Sequence, residues 1–155
     1  MKALNWIWLA VIFGVALAAS ASEIFPADDE RVATDIYWSD GDSGRLNGHS
    51  FRLANVDSPE KGGIGSIGGA KCELERERAF EAKAFIIELT RRADVRISKS
   101  YGDDRYGREV VDLEVNGQDL AEIGLREGVY QPWPHKGQRA MTKKPDWCGR
   151  KLASR

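Results

Sequence analysis

Histidine and cysteine each occur only twice in this chain, and each scarcity excludes something. His49 and His135 lie far apart and have no cysteine neighbours at ligand spacing, so a zinc site is not expected and both read as exposed polar side chains. Charge of one sign is not in excess either: 23 Lys and Arg stand against 24 Asp and Glu, a formal net of −1. That is not the balance of a protein that holds nucleic acid by bulk electrostatics. The one glycine-dense stretch, Lys61 to Ala70 (KGGIGSIGGA), lacks the Lys-Ser or Lys-Thr ending of a nucleotide-phosphate loop and reads as a mobile connection. Asp40-Gly41-Asp42 does not begin a calcium-binding helix-loop-helix loop. Counting from Asp40 puts Arg45 where glycine is required and Phe51 where the bidentate glutamate belongs. Heptads are absent as well, which favours a monomer.

What is present begins with a leader. Lys2 is the only charge ahead of an apolar run from Trp6 to Ala19, and Ala19-Ser20-Ala21 supplies the small residues of an export cleavage site. Residues 1–21 are therefore expected to be a signal peptide cleaved after Ala21. Residues 22–155 are then one domain with a basic tail, periplasmic or secreted and without stable membrane association. The rival reading is a retained membrane anchor. No cysteine near the site indicates a lipid anchor.

In an oxidising compartment the even count of Cys72 and Cys148 favours a disulfide over two free thiols. Closing so long a loop would restrict the unfolded chain by an upper value of about 4 to 5 kcal/mol. The tail is lopsided. Lys136, Arg139, Lys143, Lys144, Arg150, Lys151 and Arg155 face Asp146 alone, which suits either guidance of a polyanion or a solvated terminus.

Phe51 to Glu60 (FRLANVDSPE) is the stretch richest in chemistry. Its alternation predicts a strand with Phe51, Leu53 and Asn55 on one face and Arg52, Ala54 and Val56 on the other. Pro59 ends it and leaves Asp57 and Glu60 at the strand's mouth. A hard cation takes carboxylate oxygens, and a phosphodiester under attack needs positive charge and a base or a group that orients water. The same residues would also make an ordinary salt bridge beside a strand end.

Around this stretch the pattern predicts a strand through Val32, Thr34, Ile36 and Trp38, a turn at Ser39 to Asp42, a short strand at Arg45-Leu46 and a tight hairpin at Asn47-Gly48. A helix follows over about Cys72 to Ala93. Cys72, Ala79, Ala82, Ile86 and Leu89 share one face, and Phe80, Ala84 and Ile87 form a second buried row. The Cys148 region is the candidate partner for that second row. Strands at Val95–Ser98 and Val110–Val115 enclose Tyr101 to Arg108, a connection with arginines for phosphate and tyrosines for stacking, or else a hairpin loop with internal salt bridges to Asp103 and Asp104. A short helix spans Leu120 to Glu127.

Taken in order, Asp40-Gly41-Asp42-Ser43, the Phe51 to Glu60 decapeptide, the helix, Asp104 to Arg108, Asn116-Gly117, Asp119 to Glu122 and Arg126-Glu127-Gly128 resemble the staphylococcal nuclease (thermonuclease) family. The resemblance spans about Ile36 to Gln131. It implies an α+β, mainly β fold: the five-stranded barrel of an oligonucleotide-binding (OB) fold, ordered β-β-β-α-β-β-α. It further implies a calcium-dependent phosphodiesterase, an endonuclease acting on DNA and RNA whose products carry a 3′-phosphate and a 5′-hydroxyl. Single-stranded nucleic acid is the substrate expected to partner it. On the matching positions, Asp42 and Asp57 become carboxylate ligands of Ca2+, the Ser58 carbonyl a third ligand, and Asp40 a supporting neighbour. Glu60 becomes the base, Arg52 and Arg108 the catalytic cations at the phosphate, and Arg105 and Tyr106 nucleotide contacts. Ser43 and Ser58 stand where threonine is usual. Gly44 replaces a β-branched residue, which predicts a late start for the second strand. The family's base-stacking tyrosine pair has no clear match; Tyr130 and Trp133 are the substitutes to consider. Two other readings stand beside the nuclease: an inactive nucleic-acid-binding module on the same fold, and an accessory protein of envelope or exopolysaccharide assembly.

Overall fold

The computed structural model describes residues 32–33, 35–137 and 139–149. The expected leader, Thr34, and the tail residues Arg150, Lys151 and Arg155 lie outside the described residues. Three strands form the expected meander: β1 (Ile36–Trp38), β2 (Ser43–Leu46) and β3 (His49–Leu53), each antiparallel to the next. Asn47 and Gly48 turn β2 into β3 with φ of 50° and 84°, the left-handed pair that such a hairpin requires. The first strand is shorter than its alternation predicts. Val32 makes only an isolated bridge to Arg96, with Ala33 N–H donating to the Val95 carbonyl at 2.7 Å.

The second strand does not start late. Ser43 pairs with Arg52 and Gly44 with Trp38 and Phe51. Gly44 is required there by proximity, since a Cβ at this position would lie 2.0 Å from the Tyr37 carbonyl oxygen.

Beyond β3 the single predicted strand breaks. Asn55 takes φ 59°, and the chain restarts as β4 (Val56–Asp57), which pairs with β8 (Gln131–Pro132) instead of continuing the main sheet. The bend turns both Ala54 and Val56 inward and Asn55 outward, so the alternation predicted after Leu53 does not hold.

Helix α1 (Glu73–Thr90) begins at the Cys72 N-cap, whose sulfur accepts from Glu75 N–H, and it is shorter than predicted because Arg91 leaves the helical region at ψ 117°, with Arg92 following at φ 62°. Ala79, Ala82 and Ile86 are buried as expected. The second row is not: Phe80 and Ile87 are 53% and 40% exposed, and Ala84 is exposed too. The helix does have a second partner near Cys148, but it meets that segment through buried Glu75 and Arg78, polar residues that an apolar periodicity passes over.

Strands β5 (Val95–Asp103) and β6 (Glu109–Val115) are longer than predicted. Asn116-Gly117 leads into β7 (Gln118–Asp119), and α2 (Leu120–Arg126) follows at once, capped by the Asp119 carboxylate on Glu122 N–H. After β8 come β9 (His135–Lys136) and β10 (Arg139–Ala140), a small hairpin. The main sheet runs β1-β2-β3-β6-β5, with β7 on β6. Because β3 and β6 are parallel, the sheet is mixed. Its ladder is not a closed barrel, for Val32–Arg96 is the one bridge between the chain ahead of β1 and β5 among the described residues. The architecture is thus mainly β with two helices among the described residues. Its core centres on Trp38, Phe51, Leu53, Ile86, Val111 and Leu113. Trp38 stacks edge-on against Phe51 at 5.1 Å and donates to the Thr90 hydroxyl at 3.0 Å.

Gly44→Ala is expected to destabilise the protein by at least about 3 kcal/mol, because backbone rather than a flexible side chain opposes the new methyl. Urea denaturation checks this, and a loss below about 0.5 kcal/mol, the size of an ordinary surface change, would refute the close approach.

Candidate active site

Strand β3 delivers Arg52. Phe51 and Leu53 are buried in the core on one side, and Arg52, paired between Ser43 and Val110, projects half-buried on the other. The turn before β2 supplies Asp42, whose main chain is fixed by Leu53 N–H donating to its carbonyl at 2.8 Å. The bend at Asn55 brings Asp57 back to the same place. Arg52 Nη2 lies 3.1 Å from Asp42 Oδ2 and 3.9 Å from Asp57 Oδ1, and Ser58 N–H reaches Asp42 Oδ2 at 3.4 Å. Asp42, Asp57, Ser58 and Arg52 therefore converge as the sequence suggests, and all but Arg52 are buried.

The sequence reading missed two further members, both on the segment that follows β10. Trp147 Nε1 donates to Asp57 Oδ2 at 2.9 Å, and the Lys144 ammonium lies 3.4 Å from Asp57 Oδ1 while hydrogen-bonding Glu60 Oε1. This strap is tied down by the Cys72–Cys148 disulfide and by Arg78 Nη1 donating to the Trp147 carbonyl at 2.6 Å. A signal was available: Trp147 adjoins Cys148, so a bridge to Cys72 draws it to the start of α1. There Glu75, fully buried, accepts from Lys71 N–H at 2.7 Å and from Glu60 N–H at 3.4 Å, which places Glu60.

Other expected members stand apart. Asp40 pairs with Lys61 at 3.1 Å and touches Ser43 Oγ at 3.5 Å; neither contact joins it to Asp42 or Asp57. Arg108 forks Nε and Nη2 onto Asp104 Oδ2 at 2.9 and 2.7 Å, the internal salt bridge considered as an alternative for this loop. Arg105 and Tyr106 are exposed at the hairpin tip, the guanidinium 4.8 Å from the ring centre. Tyr130 is buried and donates to the Gly41 carbonyl at 2.6 Å, so it has no face for a base. Trp133 does, with its half-buried ring 5.4 Å from the Arg52 guanidinium and 5.7 Å from the Lys144 ammonium.

Residues 50–146 match the family model described as staphylococcal nuclease homologue. The chain belongs to that family. Comparison with curated proteins finds no match. The matched span of this staphylococcal nuclease homologue contains Arg52, Asp57, Ser58, Glu60, Arg108 and Lys144; Asp42 precedes it, and Trp147 and Cys148 follow it.

The electrostatics of the homologue's site centre on Asp57. Burial pushes its carboxyl up to about 6; the Trp147 hydrogen bond and the Lys144 charge pull it down, Asp42 adds to the rise, and Arg52 opposes it. Burial alone would lower Lys144, but its bond to Glu60 and the charge of Asp57 outweigh that and hold its ammonium above the usual lysine value. At Asp104 burial likewise opposes the result. The Arg108 fork and backbone N–H groups win and lower the carboxyl.

Do these residues fit a hard divalent cation? The donors are carboxylate oxygens, the chemistry such an ion selects. Arg52 Nη2 meets Asp42 off the hydrogen-bond direction and is too far from Asp57 for one, so Asp57 Oδ1 and Arg52 Nη2 are buried and ion-paired without a hydrogen bond. A buried carboxylate oxygen left to cations alone suits a metal ligand. No cluster of three or more His, Cys, Asp or Glu occurs among the described residues, so main-chain oxygen and water would complete the shell.

A pH test follows from Asp57. Its folded value of about 6 lies above the ordinary 3.8, so its contribution is fully present below pH 3.8 and is lost as pH rises through 6, a change of about 3 kcal/mol. In chelator, the wild type is expected to lose stability relative to Asp57→Asn between pH 4 and 6.5. Parallel pH–Tm curves for the two proteins would refute it.

Proposed function

We propose that this chain is an exported, calcium-dependent nuclease that hydrolyses phosphodiester bonds of single-stranded DNA or RNA, leaving a 3′-phosphate and a 5′-hydroxyl. The observation that carries the reading is the convergence of Asp42, Asp57 and Arg52 at a buried strand mouth with Glu60 beside them. Asp42, Asp57 and the Ser58 carbonyl would hold Ca2+, which when bound neutralises the phosphate and polarises it. Glu60 takes the proton of the attacking water as the new P–O bond forms and the bond to the 5′-oxygen breaks, and the departing oxygen takes a proton from solvent to become the 5′-hydroxyl. Arg52 opposes the charge that builds on the phosphate oxygens. Arg108, whose Nη1 lies outside its fork on Asp104, serves the same charge from the β5–β6 hairpin. Asp40 supports the site through its turn, Arg105 and Tyr106 contact the nucleotide, and Trp133 stacks on a base.

The apolar run before Ala19-Ser20-Ala21 and the disulfide support export. The Val32–Arg96 bridge, which links the chain ahead of β1 to the far strand β5, supports an OB barrel within a single domain.

One observation favours the inactive binding module: Lys144 bonds the very carboxylate assigned as base. Cleavage of labelled single-stranded DNA by residues 22–155, in calcium and in chelator, separates the two. Calcium-dependent cutting is expected, with Glu60→Gln slower by at least about a hundredfold at unchanged Tm. Equal turnover in that variant would remove Glu60 from the chemistry, and no cutting by the wild type would leave the binding module. Trp133→Ala is expected to raise KM by about tenfold, as loss of one stacked base predicts, with kcat little changed. An unchanged KM would remove Trp133 from the substrate path.

A further inference from the structure

Lys144 sits where an ion bound to Asp57 would have to compete with it. Its ammonium is 3.4 Å from Asp57 Oδ1, the buried oxygen that has no hydrogen bond, and it also engages Glu60. One ammonium thus bridges the expected metal ligand and the expected base.

The backbone around it is held on both sides. Upstream, Met141 N–H donates to the Pro134 carbonyl at 2.8 Å, and Trp133 Nε1 to the Thr142 carbonyl at 3.2 Å. Downstream, Trp147 is fixed by Asp57 and Arg78 and Cys148 by its disulfide. Rotation of the lysine side chain, about a third exposed, is therefore the movement open to it, and the long flexible stem supplies the reach.

We propose that Lys144 is a built-in rival of the divalent cation. It neutralises Asp57 and Glu60 until an ion takes Asp57, and its departure then frees Glu60 as a base. Lys144 so sets the metal concentration at which the site works. The proposal rests on the calcium reading of Asp42 and Asp57.

Calcium titration by calorimetry, with terbium luminescence as a second readout, tests it on wild type, Lys144→Met, Lys144→Arg and Asp57→Asn. Lys144→Met is expected to bind calcium at least about tenfold more tightly, because one positive charge beside the ion is removed. Lys144→Arg should stay close to wild type. A larger calcium-induced rise in Tm in Lys144→Met than in wild type should accompany this, which also shows that the variant is folded. If Lys144→Met binds no more tightly while Asp57→Asn abolishes binding, the rivalry is refuted and the metal site stands. If Lys144→Arg gains as much as Lys144→Met, charge is not the cause and the proposal falls. If none of the four binds calcium, the metal reading itself fails and takes the proposal with it.

Discussion

A carboxylate fully removed from water has to be met by positive charge or by hydrogen-bond donors, and Asp57 sets that condition for the whole molecule. Its partners come from two distant parts of the chain. Arg52 arrives on the central strand, Trp147 and Lys144 on the C-terminal strap. The bend at Asn55 belongs to the same context, since it is what lets the chain restart as β4 and pair Asp57 with Gln131 of β8. Glu75 and Arg78, polar residues buried on α1, hold the other end of this arrangement by securing Glu60 and the strap.

Much of this was legible where the signal is local. Asn47-Gly48 specified a turn because few residue pairs tolerate two positive φ angles, and the meander followed from it. Arg52 facing away from the core followed from strand alternation. The helix was readable from Ala79, Ala82 and Ile86. What failed was non-local. Phe80 and Ile87 fit a helical period yet face solvent, because the neighbour they would need meets α1 through Glu75 and Arg78. The break at Asn55 carries no proline or glycine to announce it. Lys144 looked like one of many tail cations, and only the disulfide gives its position meaning.

The two guanidiniums proposed for the phosphate are held differently. Arg108 is forked on Asp104 within four residues, a pairing that organises its own turn, where Asp104 also accepts from Tyr106 N–H and Arg108 N–H. Arg52 is instead shared between carboxylates from separate elements and makes a hydrogen bond through Nη2 to neither. The first is a local arrangement made within one turn. The second depends on the balance of charge around it, so a new anion or cation nearby acts on Arg52 directly.

The Cys72–Cys148 bridge has a consequence beyond the unfolded chain. By fixing the strap four residues from Lys144, it narrows the space the ammonium can explore and so raises its effective concentration at Asp57. Dissolved cations thus face an opponent whose local abundance is set by a covalent tether. Reducing the bridge would widen that space again without altering the charge of Lys144 or Asp57.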